Sequence, residues 1–109
     1  MEHLEFSFSS AASVASKRSP NPVLAGVVGS GNLEVLAEPD KGMEQTAQFI
    51  IDTAAGGFGG TWQAVLGDFA SHFSAGGLRF SINDNAATPA VVSLRLRQVL
   101  EALEEGKTL

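Results

Sequence analysis

Cysteine is missing from this sequence altogether. That excludes a disulfide framework, a thiolate zinc site and a cysteine nucleophile, and is compatible with a reducing cytoplasm. Basic residues are scarce: 7 Lys and Arg stand against 12 Asp and Glu, for a net charge of −5. They are also scattered, whereas holding a phosphate backbone takes clustered cations, so nucleic acid is not an expected partner. No apolar run approaches the ~18–20 residues of a membrane span. The opening MEHLEFSFSS lacks a basic segment leading into an apolar one, so no secretory signal is expected. Together these absences predict a soluble, cytoplasmic protein without a membrane partner. At 109 residues the chain, 1–109, is expected to be one domain, since domains run to ~100–200 residues. A domain of that size buries roughly two-thirds of its unfolded surface.

What is present is strongly patterned. LEFSFS alternates, with Leu4, Phe6 and Phe8 on one face and Glu5, Ser7 and Ser9 on the other, the period of a half-buried strand. SSAASVASKRSPNP, from Ser9 to Pro22, has no period and reads as a mobile loop or an insertion. A second strand is expected over Val23–Val28, then a Gly29-Ser30-Gly31-Asn32 turn, then a third strand in LEVLAE: a hairpin signature. AQFIIDT predicts a fourth strand, and AAGGFGG a flexible loop. Thr61 is the expected N-cap of a helix reaching about Phe73, with Trp62, Val65, Leu66, Phe69 and Phe73 as its apolar stripe. LRFSIND alternates again. A last helix is expected with Thr88 as N-cap and Pro89 at its first position, where proline's missing N–H costs nothing. Its stripe is Val92, Leu96, Val99, Leu100 and Leu103, and Gly106 is expected to end it. The fold class that follows is α+β, a two-layer sandwich: a mainly antiparallel sheet with two amphipathic helices on one face.

Three well-known readings of VGSGNLE fail. A dinucleotide fingerprint needs glycine where Glu34 stands, a P-loop needs Gly-Lys-Ser/Thr, and a hydrolase elbow needs glycines where Val28 and Asn32 stand. A serine hydroxyl needs an adjacent base to act as a nucleophile, and no local partner stands beside Ser30. Two readings remain open on spacing alone. One is a plain hairpin turn, where Gly and Ser serve the backbone. The other is an attachment point that another enzyme modifies, approached across Gly29 and Gly31. Asp68 and His72, four apart on a helix, read as a surface pair without a third ligand, so no metal site is expected; His3 is a weaker candidate still. Leu94, flanked by Arg95 and Arg97, falls opposite the last helix's stripe. It is either an ordinary exposed leucine or an anchor for a partner. Asp84, in NDNAATP, reads as a turn residue from which a carboxylate reaches a neighbouring loop.

LAGVVGSGNLEVLAEP followed by INDNAATPAVVSLRLRQVLEAL resembles the acyl carrier (delta) subunits of malonate decarboxylase over nearly the whole chain. Where that family has glycine in its Asp-x-Gly-Ala-Thr-Pro segment, this chain has Ala86. The resemblance implies a single acyl-carrier domain with no catalytic residue of its own. It implies that Ser30, between Gly29 and Gly31, carries a 2′-(5″-phosphoribosyl)-3′-dephospho-coenzyme A group through a phosphodiester, absent in the apo form. The thiol of that group is implied to carry acetyl, exchanged for malonyl, which is decarboxylated with release of CO2. Expected partners are the acetyl-transferase and decarboxylase subunits, a malonyl transferase and the transferase that installs the group. The carrier subunit of a citrate-lyase-type complex and an unmodified α+β interaction module are the alternatives. The assignments of Asp84 and Glu34, as aids to the installing enzyme or as turn caps, stay open.

Overall fold

The computed structural model describes residues 1–11, 21–40 and 42–105. In chain order the elements are β1 (Glu2–Ser9), β2 (Val23–Gly26), β3 (Asn32–Pro39), β4 (Thr46–Thr53), α1 (Gly59–His72), β5 (Leu78–Asn85) and α2 (Pro89–Glu105). The strands form one five-stranded sheet in the order β1-β4-β5-β3-β2. Every neighbouring pair is antiparallel except β4 and β5. That parallel pair follows from α1: two parallel strands need a long crossover between them, and a helix supplies it. The expected two-layer α+β sandwich is what forms.

Alternation along the strands decides which face meets the helices. Phe49 pairs with Phe80 and Ile51 with Ile82 across β4 and β5, and all four are buried. Leu33, Val35 and Ala37 continue the face on β3, Val23 and Ala25 on β2. Phe49 and Phe80 stack with ring centroids 4.8 Å apart. Phe69 of α1 meets both edge-on, a geometry that adds about 0.5–1.5 kcal/mol per pair beyond simple burial. The α2 stripe Val92, Leu96, Val99, Leu100 and Leu103 is buried as the 3.6-residue period requires. The opposite face of the sheet bears Glu5, Gln48, Ser81 and Glu34.

Four local expectations are corrected. The second strand stops at Gly26, not Val28, because Gly26 takes φ +80° and leaves the extended region; Val27 and Val28 are then exposed. Helix α1 starts three residues early: Phe58 is its N-cap, without a side-chain hydrogen bond, because the Trp62 N–H donates to the Phe58 carbonyl at 2.9 Å. Thr61 therefore lies inside the helix. Phe73 is not part of the buried stripe; it is the extended C-cap and is 40 % exposed while stacking on Phe69. Ser10, read as the start of a mobile loop, is buried. Its hydroxyl lies 2.8 Å from the Ala70 carbonyl and 3.0 Å from that of Phe73, and accepts the Ala75 N–H at 3.0 Å. It thereby adds a partner for carbonyls at the end of α1, where the Phe73 carbonyl also accepts the Ala75 N–H at 3.0 Å. Most of the loop expected over Ser9–Pro22, and Gly106, lie outside the described residues.

Candidate functional site

Between β2 and β3 the chain turns through Gly29, Ser30, Gly31 and Asn32. The Asn32 N–H donates to the Gly29 carbonyl at 2.9 Å, closing a four-residue turn. Gly31 takes φ +70° while Ser30 does not have positive φ, the pattern of a type II turn, which wants glycine at its third position. A second bond anchors the turn: the Gly31 N–H donates to the Asn85 carbonyl at 2.8 Å, at the end of β5. Ser30 itself is exposed, and among the described residues its hydroxyl has no hydrogen-bond partner. Side chains at Gly29 or Gly31 would meet nothing within 4 Å, so space is open on both sides of the serine. The root of the turn is crowded by contrast. At Gly26 a Cβ would run into the Leu33 carbonyl and approach the Arg95 side chain. Arg95 is half-buried there, its Nε donating to Asn32 Oδ1 at 3.3 Å and its Nη1 to Gln98 Oε1 at 3.0 Å. The turn is thus a held base with a free tip.

Asp84 and Glu34 do not reach Ser30. Asp84 is buried, and its Oδ2 accepts from Thr53 Oγ1 at 2.8 Å and the Ala86 N–H at 3.1 Å, its Oδ1 from the Ala87 N–H at 3.0 Å. These bonds shape the loop into α2, in which Ala86 has φ +62°, a left-handed conformation unusual for a residue with a Cβ. Thr88 caps α2 as expected, its Oγ1 accepting the Val91 N–H at 3.3 Å. Glu34 accepts from Asn83 Nδ2 at 2.8 Å on the exposed face of the sheet. Asp68 and His72 pair at 3.2 Å, both well exposed. His3 lies 2.7 Å from Asp52 Oδ1 and 2.8 Å from Glu5 Oε2. Hydrogen bonds donated to both carboxylates, the one to Glu5 the larger effect, raise its pKa above the ordinary 6.5. None of these groups stands beside Ser30. Among the described residues no cluster of three or more His, Asp or Glu side chains is placed to hold a metal ion. Nor is any helix among them long and apolar enough to cross a membrane.

One feature escaped sequence reasoning. A cavity of about 280 Å³ opens between the start of α1, the start of α2 and the end of β5, lined by Phe58, Trp62, Val65, Ala87, Val92 and Asp84 among others. Its only sequence signal is the aromatic pair Phe58 and Trp62 framing a Gly-Gly helix start.

Comparison with known proteins gives a consistent picture. The profile of a family described as malonate decarboxylase delta subunit (MdcD) matches residues 20–103. A malonate decarboxylase acyl carrier protein of Stenotrophomonas maltophilia (strain K279a) is 48 % identical over 107 residues, covering 98 % of each chain. One from Burkholderia cepacia is 58 % identical over 77 residues, covering 71 % of this chain and 69 % of its own. In a crystal structure of a Pseudomonas malonate decarboxylase hetero-tetramer in complex with malonate, one chain superposes with a TM-score of 0.80 at 33 % identity, over 94 % of this chain and 99 % of that one.

Proposed function

The chain belongs to the malonate decarboxylase delta-subunit family, and on that premise we propose that it carries acyl groups on a 2′-(5″-phosphoribosyl)-3′-dephospho-coenzyme A group joined to Ser30. When bound, that group supplies the thiol on which acetyl and malonyl travel, so a chain without cysteine needs no sulfur of its own. The observation that carries the reading is the geometry of Ser30: an exposed hydroxyl without a partner among the described residues, at the tip of a turn whose two flanking glycines leave open space. The residues around it fit attachment. The Gly31–Asn85 hydrogen bond holds the root of the turn against β5, and Arg95, bonded to Asn32 at the same turn, would be the residue to offer positive charge to a phosphodiester. They do not fit catalysis. Among the described residues no base faces the hydroxyl, so its deprotonation during attachment falls to the enzyme that installs the group. The acyl chemistry falls to partner subunits: transferases for acetyl and malonyl, and the decarboxylase. What this chain contributes is tethering, which presents one acyl group to successive sites at an effective concentration on the order of millimolar.

Intact mass of the chain co-expressed with its installing transferase tests the proposal. The wild type gains the mass of the prosthetic group and Ser30→Ala does not. An unmodified wild-type chain under conditions that load a related carrier overturns it.

A further inference from the structure

The cavity between α1, α2 and β5 has no part in attachment, yet it lies next to the attachment turn. The Gly31 N–H is bonded to the Asn85 carbonyl, and the next residue, Ala86, lines the cavity. Backbone dimensions then hold the Ser30 Cα within about 13 Å of that lining. An arm that runs through a phosphodiester, two riboses, a pyrophosphate and a pantetheine chain has more than enough bonds to cover this. The cavity is small, about 280 Å³, at or below the low end of the ~300–1,000 Å³ of ordinary ligand pockets. That suits the end of a chain rather than a whole nucleotide. Its wall is mainly apolar, from Phe58, Trp62, Val65, Ala87 and Val92. The charged group in it is the Asp84 carboxylate, already held by Thr53 and two backbone N–H groups. Among the described residues no Lys, Arg or His lines it.

We infer that this cavity is a resting site for the thioester end of the arm, taking it when the acyl group is uncharged and refusing it when the acyl group bears a carboxylate. The inference rests on Ser30 being the point of attachment. Desolvating an unpaired carboxylate against an apolar wall is costly, and Asp84 adds like-charge repulsion where no cation offsets it. An acetyl thioester has no such penalty, and burying its methyl and methylene groups favours it. The cavity would shield an acetyl thioester from water between partner encounters and leave a malonyl thioester outside, free to be taken up. A weak site is enough, because the tether supplies an effective concentration on the order of millimolar.

Trp62 is the chain's single tryptophan, tyrosine is absent, and Trp62 lines the cavity, so its fluorescence reports occupancy directly. The full apo chain is titrated with free S-acetyl-pantetheine and S-malonyl-pantetheine. Expected is a saturable change in Trp62 emission with the acetyl compound, at least tenfold weaker binding of the malonyl compound, the same result in Ser30→Ala, and loss of the response in Val65→Phe, which fills the cavity. Circular dichroism checks that Val65→Phe folds; if it does not, Val65→Leu replaces it and is expected to weaken binding. No saturable response, equal affinity for the two compounds, or a response undiminished in a folded filled variant overturns the inference. Because the probes are free in solution, the titration is independent of attachment at Ser30. The mass measurement decides that separately, so failure of either idea is distinguishable from failure of the other.

Discussion

At the scale of single residues, two positions show how much one atom decides. Ala86 stands in a left-handed conformation, with φ +62°. That conformation costs a residue with a Cβ roughly 1–2 kcal/mol, partly offset by the lower unfolded entropy of alanine. Ala86→Gly is therefore expected to stabilise the chain by about 0.5–1 kcal/mol, read as a higher urea midpoint. Ser10 is the reverse case. Its hydroxyl serves the end of α1 and the Ala75 N–H from a buried position, and losing a buried partner costs about 1–3 kcal/mol, toward the low end here because the Ala75 N–H still reaches the Phe73 carbonyl. Ser10→Ala is expected to lower stability by that amount in denaturant unfolding. Composition hid this: in SSAASVAS, Ser10 looks like any other loop serine, and only the approach of α1 distinguishes it.

At the scale of elements, the hairpin that presents Ser30 is the most constrained. Gly26 and Gly31 both have positive φ, but only at Gly26 would a Cβ also meet backbone. Gly31→Ala is expected to cost about 1–2 kcal/mol, and Gly26→Ala more than that, because the Leu33 carbonyl cannot swing aside. Comparative thermal melts of the two variants read the difference. The β1–β4 edge carries a pH-dependent contact. His3 has its pKa raised by Glu5 and then Asp52, so the protonated ring is favoured by folding. The stabilisation is fully present below the unfolded value of about 6.5 and is lost as pH rises through the higher folded value. The imidazole is exposed, so the effect on stability is small. An NMR titration of His3 is expected to give a pKa above 6.5 that returns toward it in Glu5→Gln.

At the scale of the whole molecule, the aromatic junction of β4, β5 and α1 holds the layers together. Phe49 stacks on Phe80 and meets Phe69 and Phe8 edge-on. Phe49→Ala is expected to cost about 3–5 kcal/mol, a large share of the roughly 5–15 kcal/mol that a domain possesses. Partial loss of the cooperative unfolding transition in calorimetry is the corresponding readout. The same junction ties function to fold, since β5 leaves it to anchor the Ser30 turn at Asn85 and to bring Asp84 and Ala86 to the cavity.

The alternation in LEFSFS, AQFIIDT and LRFSIND determined every inward face of those strands, and the Thr88-Pro89 start determined where α2 begins. Both are local: side-chain period and capping chemistry act within a few residues. The Gly-Ser-Gly turn was legible for the same reason, and with it the free tip on Ser30. Tertiary structure alone decided the rest. The parallel pairing of β4 with β5 and the burial of Ser10 depend on partners far along the chain. So does the cavity, which exists only where α1, α2 and β5 converge. Asp84 was legible as a turn residue, but its bond to Thr53 spans two strands, and only the sheet register brings them together.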